Sequence, residues 1–192
     1  MTPTDLAPIA AAQRLILVVG PSGAGKDSVL KAWRQALGMA APAFAQRVIT
    51  RAPDATEDHE AVTGDDFAGL RSRGLLATWW QAHGLDYGVR WQQLEPLAQG
   101  RWVVLNGSRA HLPALRRQAP GLRVVEVSAP AHVLAQRLAG RAREDAVARD
   151  GRLARAVETP VGADLALVND GELQHCVDRL ARWWDRVRVE VD

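Results

Sequence analysis

The chain has 192 residues, 24 of them basic and 22 acidic, for a formal net charge of +2, and a single cysteine, Cys176. The length fits one domain with a proper core. The near-balance of charge gives bulk nucleic-acid binding no support, and one cysteine excludes a disulfide framework or a cysteine metal site within the chain. Residues 1–13 show no basic stretch leading into a long apolar one, and no apolar run approaches the length of a bilayer. A soluble, reducing compartment, the cytoplasm, is therefore expected, with no membrane partner.

Taken in order, residues 1–13 read as a loose lead and Arg14–Val19 as a first strand, apolar without alternation and so central. A helix over 27–37 stops near Gly38. Phe44–Arg51 reads as a strand, and 52–64 as a polar loop carrying Glu57-Asp58-His59-Glu60. Thr63 caps a short helix that stops at Gly74. Leu75–Ala82 is a strand with Trp79 and Trp80 on opposite faces, turning at His83-Gly84 into Tyr87-Gly88. A helix over Trp91–Gln99, a buried strand over Arg101–Leu105, a helix over 112–119 and a strand over Leu122–Val127 follow. Helix 131–139 runs into an arginine-rich stretch, Asp164–Val168 is a last strand, and the final helix lines up Leu173, Cys176, Val177, Leu180, Trp184 and Val187. Alternating strands and helices predict an α/β fold, a parallel sheet with helices on both faces. In such folds the site lies beyond the C-terminal strand ends, which loads the loops 20–28, 51–60, 106–109 and 128–130.

The first of these loops is the most telling. Gly20, Pro21, Ser22, Gly23, Ala24, Gly25 and Lys26, between a strand and a helix, form a G-x-x-x-x-G-K phosphate loop. Glycines let successive N–H groups converge on one anion, and the helix N-terminus behind adds partial positive charge. Lys26 then reaches the β- and γ-phosphates of a nucleotide. Of the 24 basic residues only Lys26 and Lys31 are lysines, so a chain that otherwise uses arginine keeps lysine where this loop needs it. The next position, usually a Mg²⁺-ligating hydroxyl, is Asp27. A carboxylate is also a hard oxygen ligand, and Ser28 offers a hydroxyl one residue on; the choice between the two is open.

These features, with Thr50-Arg51, Tyr87-Gly88, Arg137-Leu138-x-Gly140-Arg141, Arg152-Leu153 and Val168-Asn169-Asp170, resemble the guanylate kinase superfamily over nearly the whole chain. The resemblance implies a P-loop NTPase fold with a mobile lid at about 140–156 and an acceptor-binding region at about 52–90. It also implies ATP and Mg²⁺ as cofactors. Arg51 and Tyr87 would hold the acceptor's phosphate, Arg141 and Arg152 the transferring phosphoryl group, with Arg137 and Arg143 behind them, and Asn169 would lie by the adenine.

Four departures bear on the acceptor. The second arginine after Thr-Thr-Arg is Asp54, the tyrosine segment is shortened to Glu57–Glu60, the guanine-reading glutamate is Thr78, and the aspartate ending the next strand is Asn106. A site without its buried acceptor for guanine N–H groups rejects guanine. The same departures, with Gly-Lys-Asp-Ser at 25–28, Trp80–Val89 and Asn106-Gly107-Ser108-Arg109, resemble a narrower family, the ribose 1,5-bisphosphate phosphokinases of phosphonate degradation. That resemblance implies phosphorylation of a small phosphorylated sugar to 5-phosphoribosyl 1-diphosphate. Arg51, Tyr87 and Arg109 are then candidates for the acceptor's phosphates, His59, His83 and Asn106 for its hydroxyls or 1-phosphate, and Ser108 for a further substrate contact. Each has a plainer reading: lid arginines as solvated helix charges, His83 as a turn residue, the 57–60 acids as a solvated loop. The rivals are a nucleoside monophosphate kinase, a kinase of another sugar phosphate, a non-catalytic interaction module and a nucleic-acid-binding ATPase; a homodimer stays open.

Overall fold

In the computed structural model, which describes residues 6–52, 58–139 and 162–191, the chain divides into two compact units. One comprises the chain up to Leu17 together with Pro42–Arg123; the other comprises Val18–Ala41 and the chain from Val124 onward. The division falls inside β1 (Leu15–Val19), a fully buried strand.

The unit containing Val18–Ala41 carries α1 (Lys26–Leu37), β8 (Arg123–Ser128, from Val124), α5 (Ala131–Ala139), β9 (Leu165–Val168) and α6 (Leu173–Glu190). β9 runs parallel to β8, with Val125 opposite Leu165 and Ser128 opposite Val168. The apolar stripe of α6 buries Cys176, Val177, Leu180, Trp183, Trp184 and Val187. α1 buries Val29, Leu30 and Trp33. Trp33 and Trp184 meet edge to face with ring centroids 5.8 Å apart, a geometry that adds about 0.5–1.5 kcal/mol beyond burial.

The other unit pairs β2 (Ala43–Phe44) in parallel with β7 (Val103–Asn106). It also builds a four-stranded sheet ordered β4-β3-β6-β5, from β3 (Arg47–Ile49), β4 (His59–Ala61), β5 (Leu76–Ala82) and β6 (Leu85–Arg90). One face of that sheet packs Val48, Leu76 and Trp79 on Phe67 and Leu70 of α2 (Gly64–Ser72). Thr63 caps α2, its hydroxyl accepting from Asp66 N at 3.1 Å. α3 (Glu95–Ala98) and α4 (Leu112–Gln118) complete the unit.

Three expectations are corrected. The strand predicted over Phe44–Arg51 is two strands in different sheets. Ala45 N still donates to Val104 O (2.9 Å), but Gln46 N turns to the Gln93 side chain (3.0 Å), which ends the first pairing. His59–Ala61, placed in a loop, is a strand because it pairs in parallel with Arg47–Ile49. The helix over Trp91–Gln99 is a 3₁₀ turn at Trp91–Leu94 followed by the four-residue α3, with Pro96 in its first turn. The second sheet, antiparallel at β3–β6 and β5–β6, was not foreseen. No helix among the described residues is long and apolar enough to cross a membrane.

Candidate active site

The loop after β1 turns through Gly20, Gly23 and Gly25 at φ of 152°, 84° and 86° and enters α1 at Lys26. Two of these glycines sit where a side chain has no room. A Cβ on Gly20 would lie 1.9 Å from Val127 O, and one on Gly25 would lie 2.4 Å from Asn169 Nδ2. Asn169, buried at the end of β9, donates from Nδ2 to Ala24 O at 2.8 Å. Arg137 on α5 donates to Gly23 O at 3.3 Å and to Asn169 Oδ1 at 3.5 Å. The carbonyls of the loop are thus engaged from behind. Lys26 Nζ donates to Gly20 O (2.9 Å) and Pro21 O (3.2 Å), folded over the loop. Asp27 and Ser28 are exposed on the first turn of α1. From Asp170, the residue after Asn169, a cavity of about 390 Å³ runs along α6, lined also by His175, Cys176, Asp178, Arg179 and Arg182. Burial, more than the nearby Asp170, pushes the Cys176 thiol up from its ordinary range.

The candidate acceptor residues belong to the other unit. Register places Arg47 opposite His59, Ile49 opposite Tyr87 and Tyr87 opposite Trp80. Residues directly opposite share a face, so Arg47, His59, Tyr87, Trp80 and Thr78 lie on the face away from α2. His59 is buried and its Nε2–H donates to Arg51 O at 3.2 Å, which ties the strand to the Thr50-Arg51 loop. Arg47 donates to Asn106 O at 3.2 Å and its guanidinium lies 5.7 Å from the Tyr87 ring centroid. Tyr87 stacks on Trp80 at 5.5 Å, and Trp80 on His111 at 4.9 Å. His111 Nε2 and Thr78 Oγ1, both buried, are hydrogen-bonded at 2.7 Å. Burial pushes the His111 pKa down to about 4, so the ring is neutral at ordinary pH. Gly107, after β7, has Leu17 Cδ1 2.6 Å from any added Cβ, which holds the Asn106–Arg109 turn close against β1. Ser108 Oγ accepts from Ala110 N at 3.3 Å.

The structure therefore gathers Gly20–Ser28, Arg137 and Asn169 in one unit, and Arg51, His59, Tyr87, Asn106, Ser108 and Arg109 on neighbouring strand ends and loops of the other. His83 stands apart, exposed at the tip of the β5–β6 hairpin. With Gly84 it forms a two-residue turn at φ of 55° and 72°, the geometry of a type I′ connection. The lid arginines Arg141, Arg143 and Arg152, together with Asp54, lie outside the described residues. Arg47, Trp80 and His111 were missed as part of this face. Strand alternation back from the Thr50-Arg51 loop would have flagged Arg47, whereas nothing local marks His111. Among the described residues no group of three or more His, Cys, Asp or Glu is arranged to hold a metal ion.

No protein-family model matches the chain. A solved structure, the guanylate kinase from Anaplasma phagocytophilum, superposes with a TM-score of 0.69 at 17% identity, covering 97% of this chain and 89% of that one, which establishes the fold. The ribose 1,5-bisphosphate phosphokinase PhnN of Burkholderia mallei (strain SAVP1) is 46% identical over 165 residues, 84% of this chain and 90% of its own length. The protein of the same name from Acidiphilium cryptum (strain JF-5) is 49% identical over 158 residues, 82% of this chain and 84% of its own. Similarity of that extent and evenness is a family relation, and the chain belongs to the ribose 1,5-bisphosphate phosphokinase family.

Proposed function

We propose that this enzyme transfers the γ-phosphoryl group of ATP to the 1-phosphate of ribose 1,5-bisphosphate, giving 5-phosphoribosyl 1-diphosphate and ADP. The observation that carries the reading is the braced phosphate loop in a chain of this family: a cradle whose carbonyls are engaged from behind by Asn169 and Arg137. An oxygen of the 1-phosphate forms the new bond to the γ-phosphorus. The bond from that phosphorus to the β-bridging oxygen breaks, and ADP leaves with the electron pair. The nucleophile is already anionic near neutral pH, so catalysis is positioning and charge stabilisation, with no general base required.

The loop amides and Lys26 hold the β- and γ-phosphates. Lys26 would leave the carbonyls of Gly20 and Pro21 to do so. Asp27 or Ser28, exposed at the start of α1, would hold Mg²⁺ through a hard oxygen, and the ion would supply charge that offsets the phosphates. The adenine lies by Asn169, the position the family resemblance gives it. Arg51, Tyr87, Ser108 and Arg109 bind acceptor phosphates, and His59 and Asn106 the ribose hydroxyls or 1-phosphate. Arg141 and Arg152 act on the transferring group. The enzyme works on a small sugar phosphate in the cytoplasm.

A nucleotide acceptor is disfavoured by one feature. Thr78 is buried and bonded to a neutral His111, which offers no carboxylate to a guanine. The test is a steady-state assay with ATP and Mg²⁺, presenting ribose 1,5-bisphosphate and GMP at equal concentration, with Lys26→Ala as control. The bisphosphate should turn over and GMP should yield little GDP. Brisk GDP formation would overturn the assignment.

A further inference from the structure

The acceptor face contains a continuous column of flat groups that the reaction itself does not explain. His111, 4% exposed, stacks on Trp80 at 4.9 Å and 18° between planes. Trp80, 5% exposed, stacks on Tyr87 at 5.5 Å and 8°. Arg47 closes the far end, 5.7 Å from the Tyr87 ring centroid, with its guanidinium also bonded to Asn106 O. At the near end Thr78 Oγ1 holds His111 Nε2 at 2.7 Å, which fixes the imidazole's rotation. His111 precedes α4, whereas Trp80 and Tyr87 sit opposite each other on β5 and β6. A tyrosine with one strand neighbour can tilt about its χ angles. A tyrosine held between a tryptophan and an arginine, with the tryptophan itself backed by an anchored ring, has its hydroxyl fixed in place.

We infer that His111 is a positioning residue for the acceptor: through Trp80 it fixes the plane of the Tyr87 ring, and with it the Tyr87 hydroxyl and the Arg47 guanidinium stacked beside it. The inference rests on the reading that Tyr87 binds the acceptor, and it adds what holds Tyr87 ready. The role needs a flat, uncharged ring at position 111 and makes no use of proton transfer. An imidazolium at this position would be a buried charge. The neutral state that burial imposes on His111 fits this role. Preorganisation of this kind acts on acceptor binding and leaves ATP binding alone.

The test compares His111→Leu, which keeps an apolar side chain but removes the flat ring, with His111→Phe, which restores the ring without the hydrogen bond. KM for ribose 1,5-bisphosphate, KM for ATP and kcat are measured for each, and near-UV circular dichroism reports the aromatic stack. His111→Leu should raise the acceptor KM on the order of tenfold, leave the ATP KM unchanged and weaken the near-UV signal. His111→Phe should return all of these toward wild type. Should His111→Leu fail to fold, Trp80→Leu interrupts the same column and should give the same split. Tyr87→Phe, which removes only the hydroxyl, tests the underlying reading. If it raises the acceptor KM while neither His111→Leu nor Trp80→Leu does, or if His111→Phe is as impaired as His111→Leu, the positioning role is wrong. If Tyr87→Phe leaves the acceptor KM unchanged, Tyr87 does not bind the acceptor, and the inference falls together with the reading it rests on.

Discussion

The phosphate loop and the acceptor face are both read here as anion sites, yet they are made of different material. The loop is backbone. Its shape depends on glycines at positions where a Cβ would strike Val127 O or Asn169 Nδ2, and on side chains that serve by bonding its carbonyls. The face is side chains on a sheet, Arg47, Tyr87 and Trp80, brought together by strand register and stacked rings. A backbone cradle fails all at once, because one added atom displaces the whole turn. A side-chain face degrades by steps, because each ring can shift a little. The two regions should therefore differ in how steeply they respond to mutation.

The largest effect belongs to Gly20→Ala, which would force a Cβ to 1.9 Å from a backbone carbonyl that has no freedom to rotate away. Little folded protein is expected, read as loss of soluble yield or of a cooperative thermal transition. Recovery of wild-type thermal stability would mean that the loop is more pliant than its packing implies. Next is Lys26→Ala, which leaves the glycines in place and removes one cation. Fold and thermal stability should persist while kcat falls on the order of 10²–10³-fold, the usual cost of losing one group that stabilises transition-state charge. Asn169→Ala follows. It strips a buried donor from Ala24 O at a cost of about 1–3 kcal/mol. The ATP KM should rise and the acceptor KM should stay put; an equal rise in both would erase the distinction between the regions.

The smallest effect lies beside the acceptor face. Arg90 on β6 makes a bidentate pair with Glu60 on β4, at 2.7 Å and 2.6 Å. The hydrogen bond from Arg90 holds the Glu60 carboxyl below its ordinary range. A depressed carboxyl pKa contributes stability above the unfolded value and loses it as pH falls through the folded one. Both side chains are partly exposed, so Glu60→Gln should cost only about 0.5 kcal/mol near neutrality. The gap between variant and wild type should close in acid, below the ordinary glutamate range, when unfolding is followed against pH. A gap that widens in acid would contradict the pairing.

The same contrast explains what could be read from the chain alone. The loop was legible because its chemistry is sequential: Gly20 through Ser28 are contiguous, and the strand before and helix after them are written in apolar pattern. Helices α1, α2 and α6 were legible for the same reason, with Thr63 and Gly74 marking the ends of α2. The acceptor face was legible in Arg51, Tyr87 and Asn106 and in the neighbouring candidates His59, Ser108 and Arg109. Its remaining members are joined by register and by long range: Arg47 reaches Asn106 O across 59 positions, and Thr78 reaches His111 across 33. A single sequence carries no local trace of such pairings. The split of Phe44–Arg51 into two strands escaped for a related reason, since no glycine or proline breaks the run and the turn of Gln46 toward Gln93 is what separates its halves. Arg137 and Asn169 were expected to serve the nucleotide. In the structure both side chains bond carbonyls of the loop that precedes α1.

The measurement that bears most directly on the whole account is phosphorus NMR of the wild-type enzyme with ATP, Mg²⁺ and ribose 1,5-bisphosphate. Transfer to the 1-phosphate predicts loss of the ATP signals in favour of ADP, a new pair of coupled diphosphate resonances, and one surviving monoester, the 5-phosphate. Persistence of both sugar monoesters, with ATP either untouched or hydrolysed to free phosphate, would contradict the assignment of the acceptor face.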